Sequence, residues 1–108
     1  MVVVKKNGEK TLFDRDKLEK SITLAVRKRP ISAERVEKIV NSLQRKFESS
    51  GENEITTKEI GESVMDALSR LDNIAYIRFA SVYKDFRSIK DLEDFVATIE
   101  KLANHENI

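Results

Sequence analysis

An Asn-Gly pair at positions 7 and 8 lies between two short apolar runs, and no other feature restricts this fold so tightly. Val2-Val3-Val4 precede the pair and Thr11-Leu12-Phe13 follow it. Both central residues of a type I′ turn need positive φ, which Asn and Gly tolerate, so the segment is expected to be a β-hairpin. A two-residue turn at Asn7-Gly8 sets Lys6 opposite Glu9, Lys5 opposite Lys10, Val4 opposite Thr11 and Val3 opposite Leu12. The first of these pairs is favourable. The Lys5–Lys10 pair opposes like charges, which costs stability unless an anion lies beside them. Folding has no use for such a pair, whereas an anionic ligand does.

The remainder reads as helices with clear punctuation. Asp14 is a good N-cap for a helix expected to run to about Arg29, with Leu18, Ile22, Ala25 and Val26 as its buried stripe. Arg27-Lys28-Arg29 suit the negative end of that helix, and Pro30 is expected to stop it. Ser32 caps a second helix whose apolar residues are Val36, Ile39, Val40, Leu43 and Phe47, closed by Gly51 as C-cap. Glu54-Ile55-Thr56 has the makings of a third strand. Thr56 and Glu59 form a capping box for a third helix carrying Ile60, Val64, Leu68 and Leu71. After Asp72 comes a segment, Ile74 to Phe86, that is apolar most of the way round. Such a helix must be central to the domain or shared with a partner. Ser88 with Asp91 caps a last helix bearing Leu92, Phe95, Val96, Ile99 and Leu102, and the tail from Asn104 is expected to fray. The order gives an α+β domain, a helical bundle capped by a small β-sheet.

At 108 residues the chain holds one domain core. It has no cysteine, which excludes disulfides, cysteine nucleophiles and cysteine-held zinc within this chain. No apolar run approaches the roughly 18 residues of a membrane span, and no signal peptide precedes the first strand, so a cytoplasmic protein without a membrane partner is expected. Catalytic signatures are absent too. The lone histidine, His105, falls in the tail, and none of the three glycines precedes a Lys-Ser/Thr pair as a phosphate loop requires. A non-enzyme is the expectation. The net charge of +1 hides an asymmetry: residues 1–29 hold nine Lys/Arg against four Asp/Glu, and the rest hold eleven against fifteen. The basic end coincides with the hairpin and first helix, which suits a phosphate-bearing small molecule or a nucleic-acid backbone.

Lys5 and Lys6 point to opposite faces of their strand, and Lys17 begins the next helix within reach of one of them. The start of the third helix, around Thr57, offers free backbone N–H groups to an anion. Val3, Phe13 and Ile60 supply an apolar slot for a base. Taken singly, each residue reads as core, cap or solvated lysine, and only the combination describes a ligand site. The competing reading is an interaction domain that docks a protein through residues 74–86 and touches nucleic acid with its hairpin.

The stretches Val3-Val4-Lys5-Lys6-Asn7-Gly8, Phe13-Asp14, Lys17-Leu18 and Thr56-Thr57-Lys58-Glu59-Ile60-Gly61 resemble the ATP-cone, the allosteric ATP/dATP-binding module of many ribonucleotide reductases. The run Leu71-Asp72-Asn73-Ile74-Ala75-Tyr76-Ile77-Arg78-Phe79-Ala80-Ser81-Val82-Tyr83-Lys84-Asp85-Phe86 is similar to the NrdR family of bacterial repressors of ribonucleotide reductase genes. The resemblance implies a nucleotide sensor whose ligand controls its oligomeric state. It implies a nucleotide-binding domain over residues 1–88, with 89–108 a C-terminal helix and tail packed on the domain or on a partner subunit of a homo-oligomer. Carried onto this sequence, Val3, Val4, Lys5, Lys6, Phe13, Lys17, Leu18, Thr57, Ile60 and Tyr83 are the nucleotide-binding candidates. The ligand implied is ATP or dATP, with or without magnesium. In the repressor family DNA is bound by an N-terminal four-cysteine zinc ribbon, so neither zinc nor DNA contact is expected of these residues, and the chain reads as a sensor domain apart from its ribbon. The alternatives are a free-standing ATP-cone or the allosteric ATP-cone of another protein such as a ribonucleotide reductase. Two departures stand out: Lys5-Lys6 replaces the common Lys-Arg, losing a bidentate fork, and Thr11 stands where many members carry an acid.

Overall fold

The computed structural model describes the backbone of residues 1–106 and the side chains through residue 98. Three short strands and five helices follow in the order β1 (Val2–Val4), β2 (Lys10–Leu12), α1 (Arg15–Ala25), α2 (Ala33–Ser49), β3 (Glu54–Thr56), α3 (Thr57–Leu71), α4 (Asn73–Tyr83) and α5 (Ile89–Glu106). The expected α+β bundle with a capping sheet is what forms. The sheet is mixed, with β1 in the middle, antiparallel to β2 and parallel to β3.

The hairpin register differs from the expected one by a single residue. Val2 faces Leu12, Val3 faces Thr11 and Val4 faces Lys10. The Lys5 carbonyl accepts from the Gly8 N–H at 2.8 Å, the Lys5 N–H donates to the Glu9 carbonyl, and Gly8 takes φ +89°. This is a three-residue loop with a left-handed glycine rather than a type I′ turn. The Asn7 side chain stabilises it by accepting from the Glu9 N–H at 3.0 Å. Lys5 and Lys10 are therefore not opposed. Lys10 instead pairs with Glu54 across the sheet at 2.7 Å.

Pairing of β1 with β3 places Val3 beside Ile55, and both enter the main core with Leu18, Ile22, Val40 and Leu68. The amphipathic spacing of α1, α2 and α3 delivers those side chains to one interior, as period 3.6 requires. Thr56 and Glu59 form the full capping box, Ser32 caps α2, and Gly51 at φ +78° follows its last turn. The first helix ends four residues before the expected Arg29. Lys28 turns left-handed at φ 62°, and Pro30 disfavours helical backbone at the residue before it. Arg27, Lys28 and Arg29 thus lie beyond the helix. The carbonyls freed at its end are satisfied from α4, whose Arg78 guanidinium donates to those of Ala25 and Arg27.

The α4 segment is central, as its composition demands, packing on both α3 and α1 with Ala75 and Ala80 fully buried. It stops at Tyr83, short of Phe86, with Asp85 left-handed at φ 54°. Asp72 caps α4 by accepting from the Ala75 N–H at 2.9 Å and takes Arg29 Nε on both oxygens at 2.9 and 3.1 Å. The expected Ser88–Asp91 cap of α5 forms, and α5 remains helical from Asn104 to Glu106. The side chains of Ile99, Leu102 and His105 and the remainder of the tail lie outside the described residues.

The Ala75 N–H above all, with Arg29 adding to it against the opposing effect of burial, holds the Asp72 carboxyl below its ordinary 3.8. A carboxylate with a lowered folded-state pKa stabilises the fold above its unfolded pKa and loses that contribution as pH falls through the folded value. Replacing Asp72 with Asn should lower the urea midpoint at neutral pH. Following both proteins toward acid, the gap between their midpoints should narrow below about pH 4, where the carboxyl of the unfolded wild type begins to protonate. It should close as the pH falls through the lower folded value.

Candidate functional site

Val3 of β1, Lys5 just beyond it, and Thr11 and Leu12 of β2 line a cleft bounded by α1, the start of α3 and α4. Its volume is about 350 Å³. Val3, Phe13, Leu18, Ile60 and Phe79 form apolar walls, while Lys5, Lys17 and Thr57 bring polar ends to the rim. Each is placed by a local cause. Lys5 follows β1 directly with its N–H still bonded across the hairpin to Glu9, and being two residues from Val3 it shares that face. Asp14 accepts from the Lys17 N–H at 3.3 Å and fixes the first turn of α1. Thr57 is the first residue of α3, whose N-terminal N–H groups point outward beside it.

Neither lysine of the rim, nor Lys6, makes an ion pair among the described residues. Among the described residues Asp14 is the sole carboxylate lining the cleft, and it is engaged as a helix cap. The result is an apolar slot with an excess of positive charge and hydroxyls at its mouth, suited to a ligand with a flat apolar part and an anionic part. A larger depression of about 780 Å³ lies elsewhere, lined by Glu52, Glu54, Glu59, Glu62 and Asp66 against one lysine, Lys46. Its charge repels polyanions. Among the described residues no group of three or more His, Asp or Glu side chains is arranged to hold a metal ion, and no helix is long and apolar enough to cross a membrane.

Seven of the ten sequence candidates line this cleft: Val3, Lys5, Phe13, Lys17, Leu18, Thr57 and Ile60. Val4 lines the acidic depression instead, since neighbouring strand residues alternate sides. Lys6 sits exposed in the hairpin loop. Tyr83 stands behind the wall, its ring stacked on Phe79 at 6.1 Å and 15° and its hydroxyl donating to the Lys58 carbonyl at 3.2 Å. Burial, reinforced by Glu62, pushes the Tyr83 phenol up and keeps that donor protonated. Thr11, Leu12, Asp14, Ser21, Val64 and Phe79 line the cleft without having been candidates. The four-residue spacing of Phe79 and Tyr83, one face of a helix, was the available signal for Phe79.

The ATP cone domain family matches residues 1–89, which span every wall of the cleft. The transcriptional repressor NrdR of Rhodospirillum rubrum is 56% identical over 99 residues, covering 92% of this chain and 65% of that protein. The NrdR of Ruegeria sp. strain TM1040 is 49% identical over 107 residues, covering 99% of this chain and 69% of that protein. The chain is an ATP-cone of the NrdR family. It spans about two thirds of the length of these relatives, as it does of the NrdR of Acidiphilium cryptum, which is 55% identical over 100 residues and covered to 66%.

In this ATP-cone, Gly61 lets α4 approach α3. A Cβ at that position would stand inside the Tyr83 ring, which Phe79 and Lys58 hold in place. Alanine is the better helix former by about 1 kcal/mol. Overpacking of a held ring costs about 1–3 kcal/mol and should prevail. Chemical denaturation should therefore find Gly61→Ala less stable than the wild type. In a Tyr83→Ala background the same change should turn neutral or stabilising, and a cycle of the four proteins reads the coupling.

Proposed function

We propose that this ATP-cone binds ATP or dATP in the 350 Å³ cleft and serves as the nucleotide-sensing domain of a transcriptional repressor of ribonucleotide reductase genes. The observation that carries the reading is the convergence of Lys5, Lys17 and Thr57 at the mouth of an apolar slot where two lysines outnumber one capping carboxylate, Asp14. The adenine lies against Val3, Ile60 and Phe79, and the phosphates meet the two lysines and the first turn of α3. Phe13 and Leu18 close the floor. Lys6 adds to the field from the loop, and Tyr83 acts on the ligand by bracing Phe79. Magnesium, where present, arrives on the phosphates.

The protein is a cytoplasmic regulator, not an enzyme, and works by self-association. Residues 1–88 are the nucleotide-binding unit, and residues 89–108 pack on it or on a neighbouring subunit. Ligand loads the Phe79 wall, and α4 passes that load to α5 through Tyr76 and Phe95, whose rings stand 5.2 Å apart. By linkage, the assembled state must favour the nucleotide that promotes it. DNA contact belongs to a zinc ribbon, as the family resemblance implies, and not to the hairpin.

Calorimetric titration with ATP and dATP should give saturable binding. Replacing Lys5 or Lys17 with Ala should weaken it by about 1.5–3 kcal/mol each, the scale of a lost charge-assisted hydrogen bond. Absence of heat at millimolar nucleotide would favour a plain interaction domain. Sedimentation profiles without nucleotide, with ATP and with dATP should differ, and identical profiles would remove the sensing role.

A further inference from the structure

Two exposed surfaces of this chain are both apolar at their centres and oppose in charge. The first is a groove of about 670 Å³ between α1 and α4, outside the nucleotide cleft's mouth. Leu24 and Val82 line it while remaining 63% and 79% exposed, an unusual position for two aliphatic side chains on adjacent helices. Arg27 and Lys28 stand at its edge and make no ion pair among the described residues. Arg78 is already spent on the end of α1.

The second surface is the start of α5. Phe95 holds this helix to its own domain, packed with Met65, Tyr76 and Phe86 and covered by the Lys84 ammonium. Ile89 and Leu92, three residues apart on a neighbouring face, are left uncovered at 76% and 38% exposed, and Val96 one turn on is half-buried. Asp91, Glu93 and Asp94 outnumber Lys90 along the same two turns, and Glu93 and Asp94 make no ion pair among the described residues.

We infer that the α1–α4 groove receives the first two turns of α5 from a second copy of this chain. Ile89 and Leu92 fill the space between Leu24 and Val82, and Glu93 meets Arg27 and Lys28 at the rim. An apolar centre ringed by opposite charges is the usual anatomy of a specific interface. Every copy carries both surfaces, so the contact either closes into a ring or two-fold pair or propagates as a filament. The groove shares Ser21 and Phe79 with the nucleotide cleft, so the ligand's wall is also part of the docking surface. This inference rests on the self-association proposed above and names the surfaces that carry it.

Sedimentation equilibrium on the 108-residue chain, with ATP, with dATP and without nucleotide, tests it. Val82→Asp should weaken association by about tenfold or more, the loss expected for an anchor at the centre of an interface. Arg27→Glu and Glu93→Lys should each weaken it, and the double variant should recover much of the loss because the pair is restored in reverse. Association of the wild type should fall with added salt. Circular dichroism confirms that each variant is folded. Calorimetry on Val82→Asp separates the two proposals: retained nucleotide binding with lost association supports this interface. Full association of Val82→Asp, no recovery in the double charge swap, or a wild type that stays monomeric under all three conditions would overturn it.

Discussion

The register of β1 governs what the rest of this molecule can do. A three-residue strand bonded on both edges has two faces and no slack, and the left-handed Gly8 fixes which residues take which face. Val3, Lys5 and Thr11 go to the cleft, whose edge Leu12 also borders, while Val4 and Lys10 go to the other side. A slip of one residue reverses every assignment. Two adjacent lysines in the sequence thereby acquire different lives, one in the cleft wall and the other in the loop.

The opposite wall depends on how closely α4 can approach. Its composition leaves few polar side chains, and those it has are used at its ends and edges. Asp72 caps the first turn and ties it to the α1–α2 connection through Arg29, and Arg78 satisfies carbonyls that α1 leaves open. Gly61 removes the one side chain that would keep the Tyr83 ring away from α3. These contacts present Phe79 to the cleft from a helix that also carries Val82 on its outer face. One element therefore borders both the candidate ligand site and the candidate docking groove.

Much of this was legible in the sequence because local chemistry and tertiary packing agree. The caps at Asp14, Ser32, Thr56 and Ser88 and the apolar spacing of α1 to α3 place the helices, and the turn residues place the hairpin. What escaped was set by long-range contacts. The early stop of α1 depends on Lys28 adopting a left-handed backbone and on a guanidinium from residue 78. The hairpin register depends on a loop type that Asn-Gly permits but does not impose, and the like-charge pair inferred from the other loop was lost with it. Seven of ten site candidates nonetheless converge on one cleft, because Lys5, Lys17 and Thr57 sit where a strand or helix begins or ends and so have nearly fixed directions. Phe79 was hidden by its own neighbours. In a helix apolar most of the way round, the four-residue spacing of Phe79 from Tyr83 is one of several such pairs, Ala75–Phe79 and Tyr76–Ala80 among them.

The parallel pairing of β1 with β3 has a consequence for how this cleft comes into being. Val3 and Ile55 meet only after two whole helices have been threaded between them, so the contact closes one of the longest loops in the domain. Hairpins and single helices form locally in microseconds, whereas pairings of high sequence separation come late. The hairpin and the start of α1 can take shape early, yet Thr57, Ile60 and Phe79 join them only when that strand is added. During synthesis the cleft is thus among the last features completed, and a ligand that requires all its walls can bind only chains that have finished folding. Such a ligand withdraws material from the unfolded pool and stabilises the whole domain by mass action.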